Sequence, residues 1–537
     1  MRKNVFLPLS FALVLLLSAC GGTQAVTVSS SDSDISASET VNQSTDTIVQ
    51  EETTTDSEDM TMDDIFELTK GYKTRGNTNP IMTQEFGADP FALVVDDEVY
   101  IYMTADAFEY DEKGELKENT YSKIKTIHVV STKDFKNFTD HGEIPVAGSN
   151  GIAKWAHNSW APAAAMKEVD GKMKYFLYFA DNGGGIGVLE ADSPAGPFID
   201  PLGKALIDRN VPTCDKVLWL FDPAVLVDDD GSAYIYFGGG VPQGKEEFPG
   251  TARVAKLSDD MIHLASDPVL IDAPCLFEDS GIHKYNNKYY YTYCTNWNVS
   301  PESTQKYGFT NGEIACMMSD SPMGPFTYVN KILENPGTAC GLYGNNHHAI
   351  FEFNGQQYIC YHSRCLERHM GLEHGYRATF INEVTTNPDG TIKLIRQSKE
   401  GIDQLFPKDA YAVNSSVCVS QMVGTNSVPL DKSLGYKDMA LGELNTGDFT
   451  ETTGVDFSDV APRSVTVTAK ADKGVKGSIY LRIDFPNKPN VCRIDIEGTG
   501  EFTSYTADLR EEVTGVHFLY FVFYGEGFEV KDWQFNK

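Results

Sequence analysis

The sequence predicts an all-β protein: a five-bladed β-propeller followed by a β-sandwich. Three observations predict it. The 537 residues are 41% apolar and 11% aromatic, more than one core needs, so at least two domains are expected. Forty-six Gly, 26 Tyr and 30 Phe occur without a long run on a helical period, which favours short strands and turns. A hairpin-like unit recurs five times between Asn79 and about Phe406, and then the texture changes.

At the N-terminus, Arg2 and Lys3 precede an apolar run from Val5 to Leu17, too short to span a bilayer comfortably but suited to a secretory signal. It ends in Leu17-Ser18-Ala19-Cys20-Gly21, which resembles a bacterial lipobox. That resemblance implies that residues 1–20 are a lipoprotein signal peptide, that Cys20 is lipidated, and that the chain is exported, membrane-anchored and facing the cell surface. Residues 21–65 contain eleven Asp or Glu and no Lys or Arg, among Ser and Thr. Such a segment buries too little apolar surface to offset its ordering entropy, so it reads as a disordered acidic tether. The net charge is −32 overall and −23 on residues 66–537, which repels nucleic acid and anionic membranes; contact with a membrane is expected only through the lipid.

Nine cysteines follow Cys20, at 214, 275, 294, 316, 340, 360, 365, 418 and 492. The odd number leaves at least one unpaired, none shows CxxC spacing, and Cys294 and Cys360 stand in apolar strand-like runs that read as buried thiols. An exported chain has the chance to form a bridge or two, but the spacing does not say which.

Residues 66–407 form the predicted propeller. Its five units begin at Ala88 (ADPFALVVDDEVYIYMT), Trp160 (WAPAAAMKEVDGKMKYFLYFA), Phe221 (FDPAVLVDDDGSAYIYFG), Phe277 (FEDSGIHKYNNKYYYTYC) and Asn346 (NHHAIFEFNGQQYICYHS). Each has an apolar strand, a turn of Asp, Asn, Gly or Lys, and a second strand mixing aromatic and small residues. Aligned at the strand openings, the repeat positions are Asp89, Ala161, Asp222, Glu278 and His347, spaced by 72, 61, 56 and 69 residues, a period that fits a four-stranded blade. In a propeller these openings converge on one axial pocket, and three of the five are carboxylates.

Three acids in one pocket suit hydrolysis of a glycosidic bond, in which one carboxyl group donates a proton and another activates water. Asp89, in Gly87-Ala88-Asp89-Pro90, has small neighbours that leave it open to water, as a general base requires. Glu278 follows Cys275-Leu276-Phe277, an apolar approach that raises its pKa and suits a general acid. Asp222 supplies a further negative charge that holds the acid protonated.

These units resemble glycoside hydrolase family 43, on the motifs GADPFALV, NSWAPAAA, YFADNGGGIGVLEADSPAGPF, WLFDPAVLVDDDGSAYIYFGGGVP, CLFEDSGIHKYNNKYYYTYCTN and NNHHAIFEF, and within it they look most like the arabinoxylan arabinofuranohydrolase branch. The resemblance implies an inverting mechanism with Asp89 as base, Asp222 as pKa modulator and Glu278 as acid. The chain departs from many relatives in placing Asp279-Ser280 after Glu278, where Asp279 is expected to adjust the acid. The chemistry needs no cofactor. The family often uses one His to ligate an axial calcium ion, and the alignment makes His347 the candidate for a structural Ca2+. Trp160 and Phe221 are candidate sugar-stacking faces, and Asn182 and Arg377 candidate hydroxyl-recognition residues. Each has a plain alternative: core packing for the aromatics, a surface turn for Asn182 and a salt bridge for Arg377.

Residues 408–537 read as short strands broken by Gly, Asn, Asp and Pro. The segments GVDFSDVAPRSVTVTAKADKGVKGSIYLRID and VTGVHFLYFVFYGEGFEVKDWQF resemble carbohydrate-binding module family 6, which implies a jelly-roll β-sandwich, with Trp533 and Tyr505 as candidate binding aromatics. The expected whole is a monomeric, exo-acting hydrolase that removes α-L-arabinofuranosyl side chains from a plant cell-wall polysaccharide, arabinoxylan or xylan. One alternative keeps the chemistry with β-1,4-xylosides or arabinan as substrate. Another, a non-catalytic surface glycan-binding lipoprotein, predicts a lost acid or base, and all three carboxylates are present. A retaining fructan-cleaving propeller is disfavoured because no Trp-Met-Asn-Asp-Pro motif stands near the first blade.

Overall fold

The computed structural model describes residues 66–537; the predicted signal, Cys20 and the acidic tether lie outside the described residues. The chain first builds five antiparallel sheets. Blade I holds strands Gly87–Val95, Glu98–Ala105, Thr126–Thr132 and Phe138–Pro145, and blade II holds Trp160–Val169, Lys172–Ala180 and Ile186–Ala191, extended by bridges from Ile186 and Glu190 to Ile207 and Ile199. Blade III comprises Ala224–Val227, Ala233–Phe237, Ala252–Leu257 and Val269–Ile271, and blade IV Leu276–Tyr285, Lys288–Thr295, Ile314–Ser319 and Thr327–Leu333. Blade V comprises His348–Phe353, Gln356–Ser363 and Ala378–Val384. The first strand of each blade touches the first strands of the blades on either side, I to II through V and back to I, so the ring is closed and five-bladed.

Turn chemistry explains the hairpins. The first two strands meet through two-residue loops at Asp96-Asp97, Asp170-Gly171, Asn286-Asn287 and Asn354-Gly355 in blades I, II, IV and V. Asp170, Gly171, Asn286, Asn287, Asn354 and Gly355 all have positive φ, the geometry that matches a two-residue turn to the twist of its strands. Apolar wedges fill the blade boundaries. Tyr102, Val129, Leu177 and Phe179 pack between I and II, Tyr178, Ile235 and Phe237 between II and III, and Tyr236, Tyr291 and Tyr293 between III and IV. Cys294, Cys316, Ile359 and Tyr361 pack between IV and V, and Val99, Ile101, Phe351 and Cys360 between V and I. The ring closes at Asn79 and Ile81: the Ile81 N–H donates to Thr379 O (3.0 Å) and the Asn79 side chain bonds both backbone groups of Ile381 (2.7 and 2.8 Å).

The C-terminal part is a sandwich of two six-stranded sheets. One contains Phe449–Asp456, Val516–Tyr524, Lys476–Ile483 and Cys492–Glu497; the other contains Asn426–Pro429, Met439–Gly442, Phe528–Asn536, Ser464–Ala471 and Thr503–Asp508. Alternating residues such as Val465, Val467, Ile479, Leu481, Leu519, Phe521, Val530 and Phe535 form the core between them. Trp533 is in that core, 2% exposed, so it serves packing and not glycan stacking. The half-exposed Tyr505 donates its hydroxyl to Glu497 O (2.6 Å).

Propeller and sandwich share hydrogen bonds and apolar packing. Cys418–Val419 adds a short strand to the outer edge of blade I, against Phe138 and Thr139. Asn137 exchanges two bonds with the backbone of Thr453 (2.8 and 2.9 Å). Tyr436 enters the wedge between blades I and II, where its hydroxyl accepts the Phe198 N–H (3.1 Å).

Candidate active site

The inner strands of blades I, II and IV each open on a bulge. The pairing shifts between Ala88 and Phe91, between Trp160 and Ala163, and between Glu278 and Gly281. Asp89, Ala161 and Asp279 adopt positive φ there, at 47°, 41° and 68°, and Asp222 does so in blade III at 50°. L-residues other than Gly rarely take this conformation, and its use here turns side chains toward the axis. It also corrects the alignment made from sequence: the blade IV residue equivalent to Asp89 is Asp279, while Glu278 stands one place earlier, where blade II has Trp160 and blade III Phe221.

Asp89 is 5% exposed and surrounded by positive or polar groups. Arg377 Nη1 donates to its Oδ1 (2.9 Å), while Arg377 Nε and Nη2 grip Asp106 (2.9 and 2.7 Å). The Asp89 N–H donates to His362 Nδ1 (3.1 Å), and His362 Nε2 faces Asn345 O (2.9 Å). Burial pushes the Asp89 carboxyl up, but the Arg377 guanidinium, helped by His362, holds it well below the usual carboxylate range.

The other two acids are driven the opposite way. Burial, then the charge of Asp89, raises Asp222 well above the ordinary range, against the Asp279 N–H that its Oδ2 accepts (2.9 Å). Burial, then Asp222 and Asp89, does the same to Glu278, with Asp279 adding to it. Glu278 Oε1 is buried without a hydrogen-bond partner. Burial and neighbouring charge thus push Asp89 down and Asp222 and Glu278 up, the separation that acid–base catalysis requires.

Asp279 ties blade V to blade IV. It is fully buried; its Oδ2 meets His348 Nδ1 (2.6 Å) and its Oδ1 meets His347 Nε2 (3.2 Å), while His348 Nε2 meets Thr292 Oγ1 (2.7 Å). His347 Nδ1 looks toward Asp89 (3.7 Å) and Asp222 (3.9 Å), and burial keeps the ring's pKa low. Both ring nitrogens therefore already face carboxylates. Among the described residues no three His, Cys, Asp or Glu are arranged to hold a metal ion, so a calcium ion at His347 would have to be held by that lone imidazole and completed by waters.

The remaining candidates line the rim. Trp160 is half-buried, donates Nε1 to Tyr121 O (3.0 Å) and meets the Tyr121 ring edge-on; that ring lies 4.8 Å from the Arg377 guanidinium. Phe221 is buried against Trp219, which also meets Phe277 edge-on. Asn182 is exposed and its Oδ1 accepts the Gly183 N–H (2.7 Å), which makes it a turn former; its neighbour Gly183 lies against Trp219. Arg377 takes the salt-bridge alternative, organising Asp89. Sequence reasoning missed Asp106, His362, Tyr121 and Trp219. One signal was available: Ala105-Asp106 and Ala180-Asp181 both place an Asp directly after a blade's second strand.

Residues 77–392 match the model for glycosyl hydrolases family 43, and residues 419–537 match that for carbohydrate binding module family 6. An arabinoxylan arabinofuranohydrolase of Paenibacillus polymyxa is 43% identical over 482 residues, covering 86% of this chain and 75% of that protein. Xylosidase/arabinosidase 43A of Humicola insolens is 33% identical and covers 58% of this chain and 98% of its own. A crystal structure of a family 43 arabinoxylan arabinofuranohydrolase from Bacillus subtilis, in complex with cellotetraose, superposes with a TM-score of 0.82 at 39% identity, covering 87% of this chain and 98% of that one.

Proposed function

The chain belongs to glycosyl hydrolases family 43 and is a glycoside hydrolase, and from that premise we propose that it is an inverting, exo-acting enzyme that releases α-L-arabinofuranosyl side chains from arabinoxylan. The observation that carries the reading is the unequal surroundings of the axial acids: Asp89 bonded to the Arg377 guanidinium, Glu278 buried with Oε1 unpartnered, so that the first is pushed down and the second up. In the proposed reaction Asp89 takes a proton from water, and the water oxygen bonds to the anomeric carbon. The glycosidic bond breaks on the opposite face, and its oxygen takes the proton of Glu278. Arabinose leaves with inverted configuration and the xylan hydroxyl is restored. Burial keeps Glu278 protonated until that step, Asp222 beside it modulates its pKa, and Trp160 offers a flat face for the sugar.

The likeness to two arabinoxylan arabinofuranohydrolases supports this substrate. The Humicola insolens relative favours a second reading, cleavage of β-1,4-xylosides by the same acids. Proton NMR of the products from arabinoxylan and from linear xylo-oligosaccharides separates the two. Released arabinose, first seen as the inverted anomer, supports the proposal; xylose alone, or retention, overturns it. Glu278→Ala is expected to lower kcat at least about 100-fold on arabinoxylan; wild-type turnover would remove Glu278 as the acid.

The proposal extends to location: the enzyme acts as a monomer, exported and held at the cell surface by a lipid on Cys20. Incorporation of a labelled fatty acid into the wild type but not into Cys20→Ala is the expected result.

A further inference from the structure

Seven of the nine described cysteines are accounted for by their surroundings. Burial raises the thiols of Cys214, Cys275, Cys294, Cys316, Cys360 and Cys492, and Cys418 accepts a hydrogen bond from Lys408 Nζ (3.2 Å). Cys340 and Cys365 differ. Cys340 ends the short helix Gly337–Cys340 and is half-buried; Cys365 begins the helix Cys365–Met370 and is 5% exposed. The two helices pack against each other, both cysteines join the wedge between blades IV and V, and the Cys340 thiol donates to Pro336 O (3.9 Å).

Both cysteines sit on the segments that furnish the pocket. Cys340 lies seven residues before His347, on a loop held by Arg364 Nη1 to Tyr343 O (3.0 Å) and Asn335 Nδ2 to Gly344 O (2.9 Å). Cys365 lies three residues after His362. On its helix the fully buried Glu367 accepts the N–H groups of His374, Gly375 (2.6 Å) and Tyr376 (3.3 Å), the turn that delivers Arg377. We propose that Cys340 and Cys365 form a disulfide in an oxidising medium, and that this bond braces the segments carrying His347, His362 and Arg377.

The Cys365 thiol, ahead of the opposing effect of burial, lowers the Cys340 thiol toward its nucleophilic form. The oxidant is a small-molecule or protein disulfide. The Cys340 thiolate attacks one of its sulfurs, forms a mixed disulfide and expels the other sulfur as a thiol. Cys365 loses its proton and attacks the Cys340 sulfur, forming the Cys340–Cys365 bond and expelling the second thiol. Two protein thiols are thereby oxidised by two electrons, and one disulfide is reduced to two thiols.

The test uses the full chain incubated with glutathione disulfide or with dithiothreitol, then unfolded in iodoacetamide and mapped by mass spectrometry. A linked peptide joining Cys340 to Cys365, found in the oxidised sample and absent from the reduced one, is the expected result. The oxidised protein should melt roughly 3–8 °C higher than the reduced protein, and that difference should vanish in Cys340→Ser and in Cys365→Ser. Glutathione left on Cys340, alkylation of both cysteines in the oxidised sample, or equal melting of the two wild-type forms overturns the proposal.

Discussion

Arg377 sets the two axial aspartates apart. Asp89 and Asp222 are both buried aspartates at equivalent blade openings with nearly the same backbone conformation, yet their carboxyl groups are driven in opposite directions. The difference is the guanidinium that spans Asp89 and Asp106. In the wild type the base stays deprotonated as pH falls below the usual carboxylate range, so the acid limb of kcat/KM should lie low. In Arg377→Gln the burial that raises Asp89 is no longer outweighed, and the acid limb should move up by about one to three pH units. Profiles of kcat/KM on an aryl arabinofuranoside measure this; a fall in rate with the acid limb unmoved would assign Arg377 a purely structural role. The sequence offered Arg377 as either a sugar contact or a salt bridge, and no local pattern separates those, because Asp89 and Asp106 lie 288 and 271 residues away along the chain.

At the scale of elements, blade III sets the position of the acid in blade IV. After strand Ala233–Phe237 comes Gly238-Gly239-Gly240, and a Cβ on Gly239 would stand 2.5 Å from Phe277 O, 2.6 Å from Phe221 Cε1 and 3.3 Å from Glu278 Cα. The glycine is required by this close approach, since its φ is unexceptional. Gly239→Ala should displace the Phe277–Glu278 segment and lower kcat/KM about 10- to 100-fold while far-UV circular dichroism stays that of the wild type; near-normal activity would show that the segment yields without cost. The sequence made much of this level legible. Two-residue turns such as Asp170-Gly171 and Asn354-Gly355 and the Tyr-rich second strands mark the blades directly, because turn and strand preferences are local. The register at Glu278-Asp279 was not legible. Two adjacent acids fit the same slot equally well on paper, and the backbone bulge and the contacts of Asp279 with His347 and His348 are what separate them. Trp533 was misplaced for a similar reason: a strand alternating in and out gives two faces, and only the opposing sheet determines which one is buried.

Across the whole molecule, the seam between propeller and sandwich carries a buried charge pair. His128 Nε2 meets Asp140 Oδ1 (2.8 Å), and Asp140 Oδ2 accepts from Gln84 Nε2 (3.1 Å) on the propeller side and Ser427 Oγ (2.8 Å) on the sandwich side. Burial would push His128 down, but Asp140 outweighs it and raises the imidazole to about 9. The folded state therefore holds this proton more tightly than an unfolded chain, in which a histidine titrates near about 6.5. The stabilisation is complete below that pH, declines as pH rises and is lost once pH passes about 9, because above about 6.5 folding must take up a proton. Removing one member of a buried pair leaves the other uncompensated, so His128→Gln should lower Tm at pH 6, and its melting temperature should then change less than that of the wild type between pH 6.5 and 9. Calorimetry at several pH values, with the arabinose-releasing activity followed in parallel, checks this. Parallel pH dependence in wild type and His128→Gln would transfer the effect to other groups. A drop in Tm with activity retained would show that the seam stabilises the propeller without shaping its pocket, consistent with Asp140 standing on the outer strand of blade I while Asp89 opens the inner one.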